Sequence, residues 1–183
     1  MATGLVRHVV AMARNNAWAN HRLLSACEAL TPEEFAAPRV SFFPSLRATF
    51  SHIYVVDLYY IDALEGLDAL RHYSQPDPDF ADGRSMRLAQ TASDKRLIAF
   101  CERQTEAMLD SDCVLPRPNR KPPPTRVVAV LEHLFQHQIH HRGQAHAMLS
   151  STRIAPPQLD EFFLAGEQNL RRDELRALGL PEE

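Results

Sequence analysis

Apolar residues recur at three- and four-residue spacing through most of the chain, and that period predicts helices. The first runs over residues 3–30, TGLVRHVVAMARNNAWANHRLLSACEAL, with Thr3 as a candidate N-cap. TPEE follows: Thr31 can cap, Pro32 suits a first helical position and Glu34 completes a capping box, so a short helical turn starts here. A second long helix begins at Pro44 or Ser45 and runs to about Gly66. Residues 71–84 read as a loop, and a third helix covers about 85–110. DSDCVLPRPNRKPPP holds five prolines, cannot be helical and is expected to cross one end of the molecule, with a short hairpin possible around 111–120. A fourth helix spans about Thr125 to residue 151, Pro156 and Pro157 break the chain, and 159–178 read as one or two short closing helices. No strand-period alternation stands out. Four long helices with unequal connections predict an all-α four-helix bundle, one domain over 1–183 with short extra C-terminal helices.

The fourth helix carries the chemistry. Residues 132–148, EHLFQHQIHHRGQAHAM, contain five of the nine histidines: His133, His137, His140, His141 and His146. On a wheel at about 100° per residue with His133 at zero, His137 falls at about 40°, His141 at about 80°, His140 at about −20° and Gln144 at about 20°. Val127, Val130, Leu131, Leu134, Ala145, Met148 and Leu149 form an apolar stripe from about 60° to 160° that faces the core. His141 lies inside its edge and His137 beside it. His133 and His140 lie further towards solvent, and His146 points away.

His137 and His141 are an i, i+4 pair, so two imidazoles can reach one metal ion from the same helix face. Divalent transition metals take neutral imidazole nitrogen, and two adjacent buried imidazoles without a partner are costly. The bland alternative is a solvated polar face that happens to be rich in histidine. A third ligand must come from another helix, and His52 in RATFSHIYVVDLYYIDALEG is the candidate. That helix is apolar on nearly every side, and His52 lines up with Val56, Tyr59 and Ala63, so burial is expected; the alternative is a satisfied core histidine. His8, His21 and His72 are weaker candidates. Asp57 lies opposite His52 among Phe50, Ile53, Ile61 and Leu64 and needs a charged or donor partner. Arg142, at about 180° on the histidine helix, can supply one, and the pair reads as structural. Trp18, the only tryptophan, reads as core.

Composition narrows the partners. The chain is 45% hydrophobic and 23% charged, with net charge −3. No basic run interleaved with aromatics suggests nucleic acid. No segment approaches the length of a membrane span, and no signal peptide is evident. Cys27, Cys101 and Cys113 are odd in number and match no zinc-finger spacing, so free thiols and a cytoplasmic setting are expected.

HLFQHQIHHRGQAHAML resembles the signature helix of the DinB/YfiT-like metalloenzyme family. NNAWANHRLL resembles the family's first-helix motif, SLRATFSHIYVVD its second-helix motif with a lone histidine, and PPQLDEFFL its closing segment, so the resemblance covers nearly the whole chain. It implies a bundle of up-down-down-up connectivity and a divalent metal, zinc or nickel, held by three side chains near one end. The family positions match His52, His137 and His141, the set that the wheel favours. Gln136 stands where many relatives have Asn, and no effect on the metal is expected. Segments 71–84 and 111–124 are expected to border the site, and they vary widely among relatives. Relatives of known activity use low-molecular-weight thiols such as mycothiol, bacillithiol or glutathione, as thiol transferases or thiol-dependent isomerases.

Three protein ligands leave open metal positions, as in catalytic sites. The leading expectation is a metal-dependent enzyme of S-transferase type that joins a low-molecular-weight thiol to an electrophilic small molecule. The alternatives are a metal-dependent hydrolase and a non-catalytic, stress-related metal-binding bundle. No Ser-His-Asp set and no HExxH motif is present, so no protein nucleophile is assigned. His133 and His140 are candidates for proton shuttles or plain solvent-facing residues, and Gln144 for orienting a ligand or water. A homodimer through a helix face is expected.

Overall fold

The computed structural model describes residues 4–182. Four long helices form the bundle: α1 (Gly4–Cys27), α3 (Leu46–Leu64), α5 (Gly83–Glu102) and α7 (Val127–Leu149). Short helices fill the connections: α2 (Pro32–Ala36), α4 (Arg71–Ser74) and α6 (Glu106–Leu109). After α7, a 3-10 turn at Ala165–Glu167 leads into α8 (Gln168–Leu178). The N-cap expected at Thr3 lies outside the described residues.

Side-chain pairs fix the helix directions. Arg14 reaches Glu102 and Glu28 reaches Arg87, so α1 and α5 are antiparallel. Asp57 meets Gln90 and Asp62 meets Arg96, so α3 and α5 are parallel. His52 faces His137 and Tyr60 faces His133, so α3 and α7 are antiparallel. The order is therefore up-down-down-up, and the parallel pair α3–α5 requires the long crossover 65–82.

The helix starts follow from capping. Ser45 Oγ accepts from Ala48 N at 3.1 Å to open α3. Thr31 and Glu34 form the capping box of α2. Asp82 and Ser85 cap α5 reciprocally. Gly83 is needed there because a Cβ would stand 2.8 Å from the Cys27 backbone carbonyl. The helix expected over 85–110 is interrupted after Glu102. Thr105 accepts from Met108 N and starts α6 afresh, since a threonine that caps a new helix cannot continue the old one. The 71–84 connection contains α4. The proline segment is closed at its base by a strand pair between β1 (Asp112–Cys113) and β2 (Thr125–Arg126), a longer-range pairing than a hairpin within 111–120. Only the single bridge Arg117–Arg120 falls inside that stretch.

The interior has two apolar halves with a polar layer between them. Val9, Ala13, Tyr60, Leu97, Leu131 and Leu134 pack one half; Leu23, Leu24, Phe50, Ile53, Met86 and Leu149 pack the other. Between them lie buried Asn16 and Asn20 of α1, Asp57 of α3, Gln90 and Asp94 of α5, and Gln138 and Arg142 of α7. Arg142 donates to Asn16 Oδ1 at 2.6 Å, Asn20 Oδ1 at 3.0 Å and Gln138 Oε1 at 3.2 Å. Asp57 Oδ2 accepts from Gln90 Nε2 at 2.7 Å and from Gln138 Nε2. Asp94 accepts from Asn16, Asn20 and Gln90. The partnership expected between Asp57 and Arg142 is thus not a direct ion pair; the Gln138 carboxamide stands between them. Burial pushes Asp57 well above the carboxylate range and Asp94 up to about 6, and it pulls Arg142 down to about 10. Near neutral pH the ionised Asp94 and the Arg142 cation offset each other, and burial favours the protonated form of Asp57.

Trp18 is fully buried, as expected, and it anchors the C-terminal segment. Its Nε1 donates to Glu174 Oε2 at 2.7 Å, and its ring meets Phe162 at 5.6 Å. No helix among the described residues is long and apolar enough to cross a membrane.

Candidate metal centre

The antiparallel seam between α3 and α7 brings the three histidines together. His52 lies in the N-terminal half of α3; His137 and His141 lie at and beyond the middle of α7. One nitrogen from each falls within 4.8 Å of the others. The Nε2 atoms of His52 and His137 stand 3.0 Å apart. Two imidazole nitrogens on a tetrahedral zinc ion are about 3.3 Å apart, so a small adjustment seats an ion between them.

His141 is buried, at 7% exposure, whereas His52 and His137 are half-buried. The burial expected for His52 is partial: its edge borders a cleft, while Phe43 covers another side, with ring centroids 4.4 Å apart. Phe43 also packs on His141 at 5.5 Å, so the 37–45 connection shields one side of the triad. His133 and His140 are exposed. His146 turns away and donates Nε2–H to Pro157 O at 2.9 Å. His8 is exposed, His21 lies on α1 away from the triad, and His72 is tied to Asp62 at 2.7 Å.

The protonation of the triad suits a metal. Burial, with His141 and then His52 as neighbours, pushes His137 down to about 3. Burial followed by His141 lowers His52, and burial also lowers His141. All three therefore present neutral imidazole near pH 7, the form that binds metal. His141 is also oriented. Its Nδ1–H donates to Gln144 Oε1 at 2.8 Å, which frees Nε2, and Gln144 Nε2 donates to His140 Nε2 at 3.1 Å. His137 Nδ1 is buried without a partner among the described residues.

A family model for the DinB family matches residues 2–173. The chain belongs to the DinB family. Protein DinB of Bacillus subtilis (strain 168) is 25% identical over 150 residues, covering 79% of this chain and 86% of that protein. The crystal structure of a DinB-like protein from Bacillus subtilis superimposes with a TM-score of 0.57 at 15% identity, over 83% of this chain and 96% of that one, and shows the same DinB-like fold.

Two features escaped the sequence reading. Gln138 and its polar layer were one: Gln138 falls within the apolar stripe of α7, a polar residue at a core angle, and that was the available signal. The other was the cleft beside the triad, about 320 Å³, lined by His52, His137, Tyr59, Tyr60, Tyr73 and Arg117 among others. Segments 71–84 and 111–124 do border it, through Tyr73 and Arg117.

Two predictions follow from these contacts. Gln144→Ala should weaken metal binding about 10- to 100-fold without unfolding the protein, because it frees the His141 ring to turn. Competition against a chromogenic chelator measures this, and an unchanged affinity would remove Gln144 from the account. The second concerns acid. The unfolded chain takes up the His137 proton near pH 6.5, and the folded chain resists it down to about 3. The His137 contribution to stability is therefore whole above pH 6.5 and declines as pH falls through that window. The raised carboxyls of Asp57 and Asp94 tilt the opposite way, losing stability as pH rises. The readout is thus the difference in urea stability between metal-free wild type and His137→Gln, which should shrink from pH 7 to pH 4.5. A constant difference would contradict the depressed pKa.

Proposed function

We propose that this DinB-family protein is a metal-dependent enzyme of S-transferase type, in which His52, His137 and His141 hold one zinc or nickel ion. The observation that carries this reading is the convergence of three neutral imidazoles at the edge of a cleft. A divalent ion held by these three side chains would lower the pKa of a thiol bound to it. The chain's residues do the rest. Gln144 fixes the His141 tautomer, Phe43 keeps water from one side, and the tyrosine-lined cleft receives a reactant beside the triad.

The thiol is external in this reading. Cys27, Cys101 and Cys113 are free but buried, and burial raises all three thiols, Cys27 and Cys101 to about 12. Such thiols carry almost no thiolate at neutral pH. Low-molecular-weight thiols of the cytoplasm, such as bacillithiol, mycothiol or glutathione, are the proposed partners. The protein is proposed to act as a homodimer.

The test is consumption of an aryl halide by metal-loaded protein with each thiol in turn. Loss of electrophile that requires both thiol and metal supports the reading. Turnover of ester substrates without thiol would replace it with a hydrolase.

A further inference from the structure

The cleft beside the triad has a chemical character of its own. Its walls are Val55, Val56, the rings of Tyr59, Tyr60 and Tyr73, and His72, whose Nε2 is held by Asp62; no carboxylate lines it. Its fixed cation is Arg117. The guanidinium carbon stands 5.0 Å from the Tyr59 ring centroid and 5.5 Å from that of Tyr73. Those rings hold the guanidinium plane without neutralising it.

The backbone around Arg117 is also held. Tyr59 Oη donates to Pro116 O at 2.8 Å, which ties the proline segment to α3. The Arg117–Arg120 bridge closes a tight turn, with Asn119 in the left-handed region at φ 59°. Most arginines of this protein meet an acid, among them Arg22, Arg96 and Arg153. Arg117, Arg120 and Lys121 form no ion pair among the described residues. A positioned, half-buried guanidinium with no anion of its own faces a cleft that ends at two candidate metal ligands.

We propose that this cleft is an organic-acid site: Arg117 pairs with the carboxylate of a small acid whose apolar or aromatic body lies along the tyrosines, with its other end directed at the triad. The proposal rests on the reading of the triad as a reaction centre, and it names a substrate class for that centre. A planar guanidinium matches a carboxylate with two parallel hydrogen bonds, and the cavity volume suits a small molecule.

The test uses metal-free protein after dialysis, so it does not depend on metal or turnover. Binding of 3-phenylpropionate and of its neutral amide, 3-phenylpropanamide, is followed by isothermal titration in wild type, Arg117→Gln and Arg117→Lys. The acid should bind about tenfold or more tighter than the amide in wild type. That preference should disappear in Arg117→Gln, survive in part in Arg117→Lys, and weaken with salt. Equal binding of acid and amide, no binding of either, or an undiminished preference in Arg117→Gln would overturn the proposal. A second arm on cobalt-substituted protein divides the source of the acid. If the thiol carries the carboxylate, 3-mercaptopropionate gives thiolate-to-cobalt absorption at lower concentration than 2-mercaptoethanol, and Arg117→Gln removes the advantage. If the acceptor carries it, the two thiols behave alike and 3-phenylpropionate still binds with 2-mercaptoethanol present. A failed metal site with intact acid preference would leave the cleft's selectivity standing and remove only the reaction centre.

Discussion

His141→Ala is expected to lose most of its bound metal, while His146→Ala, five residues on, keeps all of it. The two variants share a helix, a residue type and a change in volume, so only their direction on α7 separates them. His141 is buried, lies 4.5 Å from the His137 ring and 4.7 Å from the His52 ring, and is held by Gln144 with Nε2 free. Its loss would leave His52 and His137 as the two remaining candidate ligands. His146 gives its proton to Pro157 O and offers the triad nothing. Its replacement removes one hydrogen bond, worth about 1 kcal/mol of stability. Elemental analysis of both proteins, purified side by side without an affinity tag, gives the answer. Equal metal content would remove His141 from the ligand set.

Arg142→Met is the second large effect, and it acts on stability. The substitution keeps most of the side-chain length and removes the one cation of the polar layer. Asp57 and Asp94 then sit buried with carboxamide donors alone, and Asn16, Asn20 and Gln138 lose a shared donor. Breaking a buried charge set by removing one partner costs about 3–5 kcal/mol. Much of that cost is the uncompensated Asp94 carboxylate, so it should shrink as the pH falls and Asp94 takes a proton. Asp94→Asn in the Arg142→Met background should recover part of the loss at pH 7. Urea unfolding of the three proteins checks both statements. A cost below about 1 kcal/mol at pH 7 would mean that the layer is solvated and contributes no more than a surface group.

The same layer marks how far the sequence was legible. The four long helices were plain from their period, because each buries one face along its whole length. The break after Glu102 was not, since Thr105 as a cap competes with an otherwise helical stretch, and only the packing decides. The pairing of Asp112–Cys113 with Thr125–Arg126 was hidden because two-residue strands carry no alternation. The triad was legible for two separate reasons: the i, i+4 spacing of His137 and His141 places them on one edge of α7, and the motifs resemble those of the family. His52 was harder, because a lone histidine on an apolar helix has no periodic signal. Its half-burial comes from the cleft, which α3 and α7 share with the short helix α4 and the proline segment at Arg117. Arg117 had no signal in its neighbourhood beyond prolines; only the folded turn shows which cation of RPNRK faces the histidines.

Metal content of wild-type protein beside His52→Ala is the sharpest test of the three-histidine site, since His52 is the candidate ligand that comes from α3 rather than α7. Tag-free protein is analysed before and after incubation with zinc and with nickel, followed by desalting. One zinc or nickel ion per wild-type chain and little in His52→Ala, with unchanged helicity in both, is the expected result. Absence of metal from wild type after incubation, or equal retention by His52→Ala, would contradict the three-histidine site.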